Sequence, residues 1–391
     1  MKTVVTFLML TIGLMPIAGC WSGRELSDSA ILVAAAIEKK GNNIKITYQV
    51  LDPRKLEKEE SEARVVISSE APTAHEATWR IIKGLKRRLF VSHTKAVIYS
   101  TELAKEGKLH ALQDAMNRDQ QFRLNSYIYV ADHPADILGA RSPLEAMTGL
   151  GLSKGAETVE RDLSEMIVVP LWNFMKMSLG PTGSTYTSFL ELHKEKEPAL
   201  THVDIDGPVI FKKGKLVKTI HSPEITRGIL WFENKVEGTS VSLSIPGEPK
   251  HKAAIEVHKT SSKITPRFEQ GKLVIDVTVQ SAGDINEWQS PQALTLPKLK
   301  LLEREYKDQI IKEMRGALKK MREDPVTDVL NIGLEVFRQY PDYWSRVHDD
   351  WDDLFKKIDV NIKVVAKIQN LGMVKDRRAD HPKSDLFPWS K

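Results

Sequence analysis

The sequence contains one cysteine in 391 residues. A single thiol excludes any intrachain disulfide, so a chain that leaves the cytoplasm must hold its fold by burial and hydrogen bonding alone. Paired-cysteine metal sites are excluded as well, and the 11 histidines are scattered without His-Glu-x-x-His spacing, which leaves zinc without a ligand set. Phosphate-cradling glycine loops are missing, both Gly-x-x-x-x-Gly-Lys-Ser/Thr and a Gly-x-Gly-x-x-Gly that opens a helix. Beyond Cys20 no apolar run approaches the about 20 residues of a bilayer-spanning helix. Charge of one sign is not in large excess either. The 57 Lys and Arg stand against 52 Asp and Glu, and a net +5 interspersed along the chain does not argue for nucleic acid.

What is present begins at the amino terminus. Lys2 supplies a positive start, Val4 to Pro16 an apolar stretch too short to span a bilayer, and Ile17-Ala18-Gly19 lead into Cys20. Ala18 and Gly19 are small enough for a peptidase to approach the backbone. The Cys20 thiolate is soft and nucleophilic enough to take a diacylglyceryl group. The pattern predicts a lipoprotein signal peptide over 1–19, cleavage before Cys20, and a lipid anchor there. An N-acyl chain such as palmitate would be a second modification, and no other cofactor is expected. The rest of the chain should then lie outside the cytoplasm, tethered to a membrane surface.

The remaining sequence reads as α+β: three mixed α/β modules, the last a small sheet covered by three helices including one long one. The expected boundaries are 20–195, 196–248 and 249–372, with a polar tail over 373–391. Ile31 to Ile37 and Ile44 to Val50 form a hairpin about Lys40-Gly41-Asn42-Asn43. Ala74, Ala77, Ile81, Leu85 and Leu89 lie on one helical stripe entered through Pro72-Thr73. Helices follow at 102–105 and 109–116, and strands at 96–99 and 124–131. Gly149 to Gly155 reads as a flexible connection, and Pro170 should split the apolar stretch that follows. In the middle module, strands are expected at 209–212, 216–220, 228–232 and 240–245, with Pro246-Gly247-Glu248-Pro249 as a hinge. The last module has strands at 253–258 and 273–280. A long helix from Pro297 then carries Leu299, Leu302, Tyr306, Ile310, Met314, Leu318 and Met321 inward. Asp324 is placed to cap a second helix started by Pro325. A third carries Trp344, Val347, Trp351 and Phe355, and an alternating strand runs from Ile358 to Ile368.

Few residues suggest chemistry. Gly151-Leu152-Ser153-Lys154-Gly155 fits Gly-x-Ser-x-Gly, but no β-branched strand precedes it, so a glycine-permitted loop is the better reading. Asp349, Asp350, Asp352 and Asp353 flank Trp351 in directions that suit a solvated helix face rather than a calcium loop. Arg80, Lys83, Lys86, Arg87 and Arg88 gather on the polar side of the first helix; a solvated face is the plain reading, and contact with anionic headgroups or an acidic partner the functional one. Trp344, Trp351 and Phe355 stand at core spacing.

Several stretches together resemble the Ger(x)C family, the C-subunit lipoproteins of nutrient germinant receptors. They are Cys20-Trp21 with Arg24-Glu25-Leu26, Ser92-His93-Thr94-Lys95, Asn117-Arg118-Asp119, Gly207 to Leu216, Asp328 to Gly333, Tyr340-Pro341, and Trp344, Trp351 and Phe355. Ser22 departs from the aspartate frequent in the family after Cys-Trp, while Cys20 and its small neighbours are intact. The resemblance implies a non-enzymatic spore germination protein on the outer face of the spore inner membrane. Its partners would be membrane lipid and two integral membrane subunits, A and B, with no nucleic acid; whether this subunit itself binds the nutrient is left open. The competing expectations are an extracytoplasmic solute-binding lipoprotein, which needs a pocket between similar lobes, and a cell-wall hydrolase, which needs paired carboxylates or a metal.

Overall fold

The computed structural model describes residues 28–56, 63–118, 121–140, 145–194 and 201–370. The signal segment, Cys20 and the polar tail lie outside the described residues. Two sheets organise the chain. The first contains β1 (Ser29–Lys40), β2 (Asn43–Leu51), β3 (Arg64–Ala71), β4 (Arg88–Phe90), β5 (Ala96–Ser100), β6 (Tyr127–Ala131), β7 (Val169–Pro170), β8 (Ser184–Lys194), β9 (Thr201–Lys212) and β10 (Lys215–Thr219). Its order is β10-β9-β8-β6-β5-β1-β2-β3, with β4 on β1 and β7 on β6. The second is β11 (Thr239–Ile245), β12 (Glu248–Glu269), β13 (Lys272–Trp288) and β14 (Asp359–Ile368), in that order.

Helices fill the connections. They are α1 (Ala74–Leu85), α2 (Thr101–Lys105), α3 (Leu109–Arg118), α4 (Pro134–Gly139), α5 (Thr148–Leu163), α6 (Leu171–Ser178), α7 (Pro223–Glu233), α8 (Leu296–Arg322), α9 (Ile332–Gln339), α10 (Pro341–Val347) and α11 (Trp351–Lys357). The central strands β1, β5, β6 and β8 run parallel, and a parallel sheet needs both faces covered. On one face Ala34, Ala36, Ala96, Ile98 and Tyr129 pack with Ile137, Leu138 and Leu152. On the other, Ile37, Val97, Tyr99 and Val130 join a core that runs on without a break to Ile275, Val277 and Trp351 beside the second sheet.

The fold class agrees with the sequence, and so do the opening hairpin, α1 as far as Leu85 and the long helix; Leu89, expected on the α1 stripe, lies in β4, because left-handed Lys86 ends the helix before it. Gly41, at φ 57, makes the β1–β2 turn, and Thr73 accepts from the Glu76 amide at the start of α1. The 196–248 stretch is shared between the sheets. Strands β9 and β10 continue the first sheet from β8, and β11 opens the second.

Local differences have physical causes. Residues 228–232 lie in α7 and not in a strand. Ser222 caps that helix, Pro223 begins it, and Ile229, Leu230, Trp231 and Phe232 are buried all round, so no helical period survives in the sequence. The glycines at 149–155 belong to α5 and are not a flexible connection; a Cβ on Gly149 would stand 2.6 Å from that of Ala34, so this one permits close packing on β1. The expected hinge at 246–249 is the β11–β12 hairpin turn, with Gly247 at φ 79. Asp324 does not cap the second C-terminal helix. Asp328 takes the backbone N–H groups of Leu330 (3.2 Å) and Gly333 (2.6 Å) instead, and the helix begins at Ile332. The third expected helix is two, α10 and α11. The last strand returns parallel to β13, a neighbour that the sequence left undetermined.

Candidate functional site

The expected anchor, Ile17-Ala18-Gly19-Cys20, lies outside the described residues. The described chain starts at Asp28, and the pairing of Ser29 with Arg88 in the short parallel β1–β4 ladder places that start beside the end of α1. Here Asp28, Ile82, Lys83, Lys86, Arg87 and Arg88 line an open depression of about 630 Å³. Helix α1 stops at Lys86, which adopts a left-handed conformation (φ 51) and turns the chain so that Arg87 and Arg88 follow Lys83 around the rim. Lys83, Lys86 and Arg88 are exposed, and their side chains make no ion pair or hydrogen bond with another described residue. Arg87 lies 3.7 Å from Asp52. Arg54 bonds the same carboxylate at 2.8 Å and holds it below its usual range. Arg80 is not in the depression; it reaches Glu76 and the Glu70 carbonyl, each at 2.6 Å.

Inside the body, polar side chains are used at the joints between the sheets. Glu313, on the inward side of α8, accepts from Arg227 Nη2 at 2.8 Å, Trp231 Nε1 at 2.9 Å and Gln309 Nε2 at 3.1 Å. Arg227 also reaches Glu165 at 2.9 Å. Burial alone would lower the Arg227 pKa, and the Glu313 hydrogen bond and charge outweigh it, so the net direction is upward. Gly228 permits this crossing: a Cβ there would overlap the Glu313 carbonyl oxygen and lie 2.7 Å from the Ala317 methyl.

A second joint centres on Tyr186 of β8, whose hydroxyl donates to Glu233 and accepts from Lys235 Nζ at 2.9 Å. Burial pushes the Tyr186 hydroxyl well above its usual pKa. Asn331 Nδ2 reaches the same Glu233 carboxylate at 3.4 Å. The third joint is Asp328. Its carboxyl, pushed up by burial, accepts from Trp351 Nε1 at 3.1 Å, and its carbonyl accepts from Thr182 Oγ1 at 3.1 Å. Lys212 Nζ then donates to Asp352 at 2.6 Å and to the Thr182 carbonyl at 3.1 Å.

These observations place the remaining candidates. Ser153 sits buried within α5, not on a strand-to-helix elbow, so no strained turn presents its hydroxyl. Ser153→Ala is expected to leave the melting temperature unchanged, read by scanning calorimetry. Of the acidic run, Asp352 is engaged by Lys212. Among the described residues no three His, Cys, Asp or Glu side chains gather to hold a metal ion. Trp344, Trp351 and Phe355 are buried, as their spacing indicated.

The joints were not anticipated, although Glu313 left a trace. It is the carboxylate that interrupts the apolar stripe between Ile310 and Ala317.

Two sheets fused through shared core and buried polar joints, with Lys83, Lys86 and Arg88 on one outer face unpaired among the described residues, define the class: an α+β protein whose internal charges serve its own assembly. Two family models divide it between them. The spore germination protein N-terminal domain matches residues 22–192, and the spore germination B3/GerAC-like C-terminal domain matches 206–372. The chain belongs to the Ger(x)C family of spore germination proteins. It is 23% identical to spore germination protein KC of Bacillus subtilis (strain 168) over 95% of this chain and 96% of that one. To spore germination protein B3 of the same organism it is 25% identical, covering 96% and 100%. The crystal structure of the GerBC protein shares the fold at TM-score 0.55 and 20% identity, covering 86% of this chain and 97% of that one.

Proposed function

We propose that this protein is the C subunit of a nutrient germinant receptor. In this reading it is a non-catalytic lipoprotein on the outer face of the spore inner membrane, assembled with integral membrane A and B subunits. The observation that carries the reading is the end-to-end correspondence with germination proteins, 95% of this chain against protein KC. Among the described residues no helix is long and apolar enough to cross a membrane. In this reading Cys20 supplies the attachment.

The chemistry at Cys20 is that of its thiol. As thiolate it would attack the glyceryl carbon of a phospholipid donor, forming a C–S thioether bond as the C–O bond to the headgroup phosphate breaks and that phosphate leaves; hydrolysis of the Gly19–Cys20 peptide bond by water would then free an amine that can be acylated. Each buried methylene contributes about 0.8 kcal/mol; one chain gives marginal binding and two give stable anchoring. Confinement beside the A and B subunits raises their effective concentration, so weak contacts suffice for assembly.

Cys20→Ala is expected to remove the acyl group, shift the protein out of the spore membrane fraction and strongly delay nutrient-triggered germination. Membrane fractionation and a germination time course read the two effects. An unacylated protein that remains fully competent would overturn the reading.

A further inference from the structure

We propose that the cationic depression at the end of α1 is a seat for anionic lipid headgroups, so that the anchored body rests on the bilayer through this face. The proposal rests on the anchoring read at Cys20 for the nearness of its occupant. Three observations carry it. First, Asp28 lines the depression and is eight residues from Cys20, a link that spans at most about 29 Å when fully extended. An acylated Cys20 therefore keeps this face within a short reach of the headgroups.

Second, the charge is uncommitted. Lys83, Lys86 and Arg88 make no side-chain ion pair or hydrogen bond with another described residue, whereas the neighbouring Arg80 is engaged by Glu76 and the Glu70 carbonyl. Cations near an anionic leaflet are attracted by about 1 kcal/mol each, roughly a factor of five in binding. Asp28 offsets part of this and Asp52 is occupied by Arg54 and Arg87, so the face stays net positive.

Third, Trp79 stands one turn before Lys83 on the same helix and is 59% exposed, although tryptophan is a large apolar side chain. Its indole nitrogen donates to His75 Nε2 at 2.8 Å. An amphipathic ring beside a row of lysines is the composition of a membrane interface, where the ring lies at headgroup level and the ammonium groups meet phosphate. Lys83 follows Trp79 by four residues and so shares its side of the helix, and Lys86 stands at the helix end just beyond it.

The test uses the full-length chain reconstituted in vesicles of phosphatidylglycerol with phosphatidylcholine, or of phosphatidylcholine alone. Trp79→Cys, and in a second protein Val365→Cys on β14, carry an environment-sensitive fluorophore, and the bilayer carries a headgroup quencher. The label at 79 is expected to be quenched severalfold more than that at 365, only with the anionic lipid. The difference should disappear in high salt and in the combined Lys83→Glu, Lys86→Glu, Arg88→Glu background. Equal quenching at both positions, or quenching indifferent to the charge reversals, would overturn the proposal. So would reversals that strip an A or B subunit from the purified receptor while lipid quenching persists, since the face would then belong to an acidic protein partner. The intact mass reads acylation separately. An unacylated chain that still floats with anionic vesicles, and is released by the reversals, removes the anchor and keeps this proposal. Circular dichroism of the reversed protein, together with an unchanged midpoint of denaturation, establishes that any loss is not misfolding.

Discussion

Replacing Glu313 with alanine is expected to lower the unfolding free energy by about 3–5 kcal/mol, the cost of stripping one partner from a buried ion pair. The Glu313 side chain is 1% exposed and the Arg227 side chain 10%. After the change Arg227 keeps only Glu165, which is 41% exposed and therefore a weaker partner. Trp231 Nε1 and Gln309 Nε2 lose their acceptor at the same time. The loss should appear as a lower midpoint of urea denaturation. Replacing both partners at once, Arg227→Met with Glu313→Leu, is expected to recover most of it, because two apolar side chains leave no uncompensated charge. A single variant as stable as the parent would mean that the pair is not buried in solution.

Trp351→Ala is the second large effect, again about 3–5 kcal/mol for removing a buried aromatic side chain. The Trp351 ring lies 5.0 Å from that of Trp344 and 6.2 Å from that of Phe355, so truncation opens a cavity between α10 and α11. It also removes one of the donors that hold the buried Asp328 carboxyl. Trp351→Phe separates the two contributions: most of the ring volume returns, and the remaining deficit is the lost hydrogen bond, about 1–3 kcal/mol. A melting temperature near that of the parent, combined with failure of the receptor to assemble, would instead place Trp351 at an interface.

What the sequence disclosed and what it withheld follow the range of the interactions. The long helix was legible from Leu302 to Met321, because Leu302, Tyr306, Ile310, Met314, Leu318 and Met321 step by three or four and the opposite side is charged. The last strand was legible for the same reason at period two. Helix α7 was not, since Trp231 and its neighbours are enclosed by β9, α8 and β12, and full enclosure erases the contrast that a periodic pattern needs. Asp328 was visible as part of a motif but not as the residue that starts α9, because two of its partners, Thr182 and Trp351, are distant in sequence.

The candidate site divides in the same way. Cys20 is proposed from adjacent residues alone and lies outside the described residues. Lys83 was legible as part of the charged side of α1, whereas Lys86, Arg87 and Arg88, expected on the same helix, follow its end. Only the pairing of Ser29 with Arg88, 59 positions apart, brings the amino-terminal end of the described chain to that side. The Arg227–Glu313 contact spans 86 positions and had no local sign beyond a carboxylate on an apolar stripe.

The missing Cβ at Gly228 has a mechanical consequence. With α7 and α8 in backbone contact at that point, even a methyl group at 228 would have to wedge the two helices apart, and α7 packs on β9 of the first sheet and β12 of the second. One absent carbon atom thus sets how closely the two halves of the molecule are drawn together.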